Sequence, residues 1–186
     1  MVIVKVTFIG DTLVGKTSLL IRHTKGTFSI ISSPTIGSGS VSSTIKIGNE
    51  SITIQYWDTA GQERFQSLLP MYSRGSNIGV FVYSVTSRSS FNNVEKWVSL
   101  FKDSADMEAK CVLIGNKMDL DNEREVSFEE GQLFAQTNHM SFFEVSAKTG
   151  ENVNVAFSQI IAFSTQDTAI VDTVQPLQEA KASGCC

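Results

Sequence analysis

The chain has 186 residues, of which 41% are hydrophobic and 18% are charged, and its formal net charge is −4. This composition is typical of one globular domain with a single substantial core, and the negative charge argues against nucleic acid as the main partner. No run of about 18 apolar residues occurs, so no membrane-spanning helix is expected. Three cysteines are too few for a disulfide framework, which favours a reducing, cytosolic compartment.

A glycine-rich loop between a predicted strand and a predicted helix is the first motif. Val2–Ile9 is an apolar, β-branched run typical of a buried strand, and residues 18–21 begin a helix. Residues 10–17 (GDTLVGKT) fit the pattern G-x-x-x-x-G-K-[ST], and this segment is called the phosphate loop below. In this order the loop amides can surround phosphates, Lys16 can neutralise their oxygens and Thr17 can ligate Mg²⁺. The alternative is a glycine turn with a solvated lysine, which the later motifs make less favourable.

The next segment predicts a hairpin that leads into a second motif. Residues 44–55 form two strand-like runs around Gly48-Asn49, so one edge of the sheet should be antiparallel. Residues 57–62 (WDTAGQ) follow. Asp58, at a strand end beside the phosphate loop, can hold the hydration shell of a metal ion. Gly61 lets a backbone amide approach a γ-phosphate, and Gln62 can orient water.

The remaining strands and helices alternate as in βαβ units. Strands are predicted at 78–85, 110–115 and 142–145, and helices at 91–102, 128–137 and 153–163. Ser127 and Glu130 fit a capping box, and the helical spacing of Trp97 predicts a core residue. The expected fold class is α/β, with a six-stranded, mostly parallel sheet, one antiparallel edge strand and helices on both faces. The motif-bearing loops follow strands, where ligands bind in such sheets.

Two further segments carry groups suited to a guanine base. Residues 116–119 (NKMD) follow a predicted strand and supply the amide of Asn116 and the carboxylate of Asp119. Residues 146–148 (SAK) follow another strand, where a tight loop can close over the base. The tripeptide alone has no predictive value. Combined with the phosphate loop, the amide and the carboxylate predict a guanine-nucleotide site and argue against an ATP-using P-loop enzyme.

The four motifs together resemble those of small GTPases of the Ras superfamily, and other segments resemble the Rab family. These segments are residues 64–67 (RFQS), 72–75 (YSRG), 82–86 (VYSVT) and the terminal Cys185-Cys186. The resemblance covers about residues 2–164 and implies a GTPase domain with the P-loop NTPase fold at 1–164 and a flexible tail at 165–186. It implies a GTP-hydrolysing switch in vesicle traffic. A nucleotide-bound scaffold with little hydrolysis is the alternative.

The same resemblance implies the residues of the site. It assigns GTP or GDP binding to the phosphate loop and to the two base segments, namely Asp11, Thr12, Leu13, Val14, Gly15, Lys16, Thr17, Ser18, Phe28, Thr35, Gly61, Asn116, Lys117, Asp119, Ser146, Ala147 and Lys148. It assigns Mg²⁺ to Thr17, Thr35 and Asp58. Gln62 is the implied catalytic residue, and Cys185 and Cys186 are the implied prenylation sites.

The segment that follows Phe28 departs from the family. Ser32 stands where relatives usually have a tyrosine, and residues 36–40 (IGSGS) replace a segment that normally ends in an acidic residue and a phenylalanine. In Rabs that phenylalanine packs with the equivalents of Trp57 and Tyr72 as an effector surface, so the effector class stays open.

Family membership also implies the partners and the location of the protein. The implied partners are an exchange factor, a GTPase-activating protein, a GDP-dissociation inhibitor or escort protein, and effectors on vesicle membranes. The implied location is cytoplasmic, with cycling onto the cytosolic face of an intracellular membrane by a lipid anchor. The tail has no polybasic cluster, so its attachment should depend on lipid.

Overall fold

The computed structural model describes residues 2–29, 38–47, 50–61 and 67–165. These residues contain one six-stranded sheet, whose strands are β1 Val2–Ile9, β2 Ser38–Ile47, β3 Glu50–Thr59, β4 Ile78–Ser84, β5 Lys110–Asn116 and β6 Ser141–Val145. The helices among them are α1 Lys16–Lys25, α2 Leu69–Ser73, α3 Arg88–Asn92, α4 Val94–Lys102, α5 Phe128–Thr137 and α6 Val153–Thr165.

The strand order is β2-β3-β1-β4-β5-β6, and β2 is the antiparallel strand of this sheet. The other neighbours pair in parallel, as between β1 and β3 and between β4 and β5. This arrangement confirms the predicted fold class, including the antiparallel edge. The turn predicted at Gly48-Asn49 lies outside the described residues. Because β1, β3, β5 and β6 run parallel, the loops that follow them meet at one edge of the sheet.

Two hydrophobic cores lie on opposite faces of the sheet. On one face, Leu19 of α1 and Phe157 of α6 pack with Phe8 of β1. On the other face, Trp97 of α4 packs with Phe81 of β4. All residues of β4 are buried, which explains its continuous apolar sequence. No helix within the described ranges is long and apolar enough to cross a bilayer.

The prediction of one helix over residues 91–102 was wrong, because the structure has two helices there. Ser87 accepts a hydrogen bond from the Ser90 amide and so begins α3 at Arg88. A turn at Asn93 then separates α3 from α4. Asparagine has a low helix propensity because its side chain forms competing hydrogen bonds. The Asn93 side chain donates its hydrogen bond to Asp11, outside the two helices. The predicted capping box at Ser127 is confirmed.

Candidate functional site

The loop after β1 is closed around the ammonium group of Lys16. The Lys16 Nζ donates hydrogen bonds to the carbonyl oxygens of Gly10 at 2.8 Å and Asp11 at 2.7 Å. Gly15 precedes α1 with φ +97°, a left-handed conformation that favours glycine. Leu13 has φ +65° without being glycine, and its side chain is 65% exposed. The remaining predicted loop residues, Thr12, Val14, Thr17 and Ser18, lie in this loop and the first turn of α1.

Burial makes the phosphate loop a favourable place for an anion. Lys16 is 6% exposed, and its burial lowers the pKa of the ammonium group to about 8, although the nearby Asp58 and Asp11 oppose the shift. A phosphate group beside Lys16 would stabilise the charged form, since it adds negative charge where water is excluded. The first-turn amides of α1 supply further donors.

A hydroxyl and a carboxylate meet beside this loop. Thr17 Oγ1 donates a hydrogen bond of 2.5 Å to Asp58 Oδ2, which joins the start of α1 to β3. Both side chains offer the oxygen ligands that Mg²⁺ prefers, and protein sites for this ion commonly provide few side chains and rely on substrate phosphates. The described ranges contain no cluster of three histidine, cysteine, aspartate or glutamate residues that could hold a metal ion. Thr35, the third predicted ligand, lies outside the described residues.

Gly61 packs directly against the phosphate loop. A Cβ atom on Gly61 would lie 2.3 Å from the carbonyl carbon of Asp11 and 2.5 Å from the carbonyl oxygen of Gly10. Any side chain here would therefore displace the loop, and glycine allows the two backbones to approach. The structure thus places Gly61 beside the phosphate loop, whereas Gln62 lies outside the described residues.

Asn116 joins three loops at the end of β5. Its Nδ2 donates a hydrogen bond of 2.8 Å to the carbonyl oxygen of Val14, and its Oδ1 accepts one of 3.1 Å from the amide of Ala147. The side chain is buried. Lys117, the next residue, has φ +68°, a strained conformation for a residue with a side chain. The sequence motif at 116–119 therefore connects the phosphate loop to the loop after β6.

Asp119 has one carboxylate oxygen held and one available. Its Oδ1 accepts a hydrogen bond of 2.6 Å from Ser146 Oγ, which in turn accepts one from the amide of Thr149. Asp119 Oδ2 is buried and has no hydrogen-bond partner within the described part of the chain, and the Lys148 ammonium lies 3.8 Å away. A buried carboxylate oxygen without a donor is costly, so this atom fits a ligand that brings N–H groups.

Arg22 contributes to the candidate site, and its sequence pattern did not predict this role. From the last turn of α1, its Nε donates a hydrogen bond of 2.7 Å to the carbonyl oxygen of Ala147, and its guanidinium also donates to the carbonyl oxygen of Lys148. It thereby fastens the loop after β6 to α1. The only sequence signal for this role is a basic residue near the end of a helix, and this signal does not indicate which residues Arg22 contacts. Phe28 lies just beyond α1, half-buried against the core that includes Phe157.

The surface beside β2 and β3 retains two of the three expected aromatic residues. The rings of Trp57 and Tyr72 lie 6.3 Å apart, and Lys5 Nζ lies 4.8 Å from the Trp57 ring centroid. Ser40 pairs opposite Trp57 across the two strands and is exposed. Ser40 therefore occupies the position where the resemblance to Rabs implies a phenylalanine.

Comparisons with known proteins agree with this geometry. A family model described as "Ras family" matches residues 5–166. The chain is 40% identical to "Ras-related protein Rab5" of Nicotiana tabacum, with 98% of this chain and 94% of the tobacco protein aligned. It is 43% identical to "Ras-related protein Rab-11B" of Dictyostelium discoideum over 86% of this chain and 72% of that protein. The identity to "GTP-binding protein ypt3" of Schizosaccharomyces pombe is also 43%, over 84% and 73% of the two chains.

Proposed function

Because the chain belongs to the Rab family of small GTPases, which hydrolyse GTP and act in vesicle traffic, we propose that the loops joined by Asn116 form its guanine-nucleotide site. The observation that carries this proposal is a pair of hydrogen bonds at Asn116, whose side chain donates to the Val14 carbonyl oxygen and accepts from the Ala147 amide. They hold a phosphate-binding loop and a base-binding loop at a fixed separation, as a nucleotide requires.

The phosphates of GTP lie in the loop at residues 10–17, where amides and Lys16 stabilise negative charge. Thr17, Thr35 and Asp58 would hold Mg²⁺, and the ion would supply positive charge that stabilises the phosphates. The Gly61 amide lies on the γ-phosphate side, and Gln62 orients the attacking water. Attack on the γ-phosphorus breaks its bond to the bridging oxygen and yields GDP and phosphate.

The base lies between residues 116–119 and the loop that includes Ser146, Ala147 and Lys148. Asp119 accepts hydrogen bonds from the N1 and N2 groups of guanine, which adenine does not offer. The buried Asp119 Oδ2, without a donor in the described residues, supports this assignment. Ser146 orients the carboxylate, while Lys117 and Phe28 pack against the base.

Attachment to a membrane is the second part of the proposal. The GTPase domain comprises residues 1–164, and the tail at 165–186 carries prenyl chains on Cys185 and Cys186. A single lipid chain gives only marginal, reversible attachment, so two chains are needed where the tail lacks a basic cluster. The protein then cycles between the cytoplasm and the cytosolic face of an intracellular membrane. The partners in this cycle are an exchange factor, a GTPase-activating protein, a GDP-dissociation inhibitor or escort protein, and effectors.

A nucleotide-bound scaffold with little hydrolysis is the second candidate, and it is favoured by Ser40 opposite Trp57. Single-turnover hydrolysis of GTP in the presence of Mg²⁺ distinguishes the switch from the scaffold when wild type is compared with Gln62→Leu. A switch gives a slow rate on the order of 10⁻⁴ s⁻¹, as for isolated Ras, and the substitution lowers it while GDP affinity is retained. Equal rates in the two proteins, together with no stimulation by an activating protein, would support the scaffold instead.

A further inference from the structure

The carboxylate of Asp11 is held by two donors from outside the phosphate loop. Asn93 Nδ2 donates to Asp11 Oδ2 at 2.7 Å, and Trp97 Nε1 donates to Asp11 Oδ1 at 2.7 Å. Both carboxylate oxygens therefore accept a short hydrogen bond from a neutral donor. Hydrogen bonds to an ionised group are about twice as strong as neutral ones.

The two donors lie one helical turn apart at the start of α4. The Trp97 amide donates to the carbonyl oxygen of Asn93 at 3.1 Å, so their side chains lie on the same side of α4. Trp97 is 3% exposed and packs in the core that includes Ile9 and Phe81. The indole N–H is therefore fixed by core packing, and it fixes the carboxylate of Asp11 in turn.

The backbone of Asp11 sets the position of two groups at the phosphate end of the site. Its carbonyl oxygen accepts a hydrogen bond of 2.7 Å from Lys16 Nζ. Gly61 packs against the same peptide, since an added Cβ would lie 2.3 Å from the carbonyl carbon of Asp11. A shift of Asp11 would therefore move the partner of Lys16 and the surface against which Gly61 packs.

We propose that Asn93 and Trp97 are positioning residues of the nucleotide site, which hold the phosphate loop in its binding shape through the Asp11 carboxylate. This role rests on the proposed function and adds Asn93 and the first turn of α4 to the elements that control nucleotide retention. Trp97 thus has a second role beyond its contribution to the core.

Release of N-methylanthraniloyl-GDP from the full-length protein tests this proposal. Trp97→Phe keeps most of the aromatic packing and removes the N–H donor, and Asn93→Ala removes the other donor. Each should raise the dissociation rate about tenfold, as expected for the loss of one hydrogen bond to a charged group. Asn92→Ala is the matched control, because Asn92 is an exposed asparagine next to Asn93 whose side chain forms no hydrogen bond with the described residues. Its release rate should equal that of wild type.

A double-mutant cycle separates positioning from general stability. If Trp97 acts through Asp11, then Trp97→Phe should add little to the release rate of an Asp11→Ala protein. If the two substitutions act independently, their fold-changes in release rate should multiply. Wild-type rates in Trp97→Phe and Asn93→Ala, or multiplicative effects in the cycle, would overturn this proposal while leaving the nucleotide site in place. Failure of wild type to retain the labelled GDP would overturn both.

Discussion

The side-chain amide of Asn116 donates a hydrogen bond of 2.8 Å to the carbonyl oxygen of Val14, and so joins the end of β5 to the phosphate loop. The same side chain accepts a hydrogen bond from the Ala147 amide. Asn116 is therefore a structural link as well as a neighbour of the proposed base site. Its two bonds explain why segments far apart in sequence form one surface.

Replacement of Asn116 by alanine should weaken GDP binding. The Val14 carbonyl and the Ala147 amide would both lose their partner, at a cost of about 2 kcal/mol or more, so GDP affinity should fall at least about 30-fold. Isothermal titration of nucleotide-free protein measures this change. Asn138→Ala is the control, because Asn138 donates a comparable bond of 2.9 Å to Phe134 at the end of α5. Equal GDP affinity in both variants would contradict the linking role of Asn116.

Arg22 should control retention of the nucleotide from the base end. Arg22→Lys keeps the positive charge but removes the guanidinium N–H groups that donate to the carbonyl oxygens of Ala147 and Lys148. GDP release should therefore accelerate about tenfold. Stopped-flow or fluorescence release assays measure the rate. Lys25→Ala removes an exposed cation from the same last turn of α1 and should have no such effect. Unchanged release in Arg22→Lys would show that the loop after β6 does not depend on this contact.

His23 should make the protein sensitive to mild acid. Its ring stacks on Phe157 with centroids 3.9 Å apart, and Nδ1 is buried without a hydrogen-bond partner in the described part of the chain. Burial lowers the pKa of His23 from 6.5 to about 4. The unfolded chain therefore binds a proton at a higher pH than the folded chain does. The contribution of neutral His23 is fully present above pH 6.5 and is lost progressively as the pH falls towards 4.

The difference between wild type and His23→Phe isolates this effect. Between pH 7 and pH 5, wild type should lose about 2 kcal/mol more of its free energy of unfolding than His23→Phe does. Urea unfolding at saturating GDP and Mg²⁺ measures both proteins. His139→Asn changes an exposed histidine at φ +58°, a conformation that asparagine tolerates, and should keep the wild-type pH dependence. Parallel curves for wild type and His23→Phe would contradict the burial of a neutral ring.

The terminal cysteines should each contribute to membrane attachment. Cys186→Ser leaves one chain and should give a weakly bound or mislocalised protein, because one lipid chain binds only marginally. Substitution of both Cys185 and Cys186 should give a fully soluble protein. Fractionation of cells, followed by intact-mass analysis of the membrane-bound protein, measures attachment and modification together. Membrane-bound protein with no prenyl mass on either cysteine would contradict the anchoring proposal.

Periodicity and motif order predicted much of the fold because these signals are local. The apolar run Val2–Ile9 and the Ser127 capping box each depend on residues within a few positions, and the structure confirms both. The mostly parallel sheet was predicted from the alternation of strands and helices, and its antiparallel edge from the hairpin signal. Recognition of the four motifs likewise required only short sequence segments.

Contacts between distant segments could not be predicted in this way. Trp97 was correctly predicted as core, but nothing in its spacing indicates that its indole N–H bonds to Asp11. The same limit applies to Arg22, whose partners lie in the loop after β6. The break at Asn93 was missed because it depends on such a tertiary bond and on the competing cap at Ser87.

Identification of the bound nucleotide is the most direct test of the proposed site. Protein purified without added nucleotide is denatured, and the released nucleotides are separated by chromatography, for wild type and for Asp119→Asn. Wild type should release GDP or GTP with essentially no ADP or ATP, because sites that read donor groups with buried acceptors discriminate by about 10⁴ or more. Asp119→Asn should shift the preference in competition assays from guanosine towards xanthosine nucleotides. Release of ADP or ATP from wild type, or displacement of its GDP by micromolar ATP, would contradict the guanine-nucleotide site.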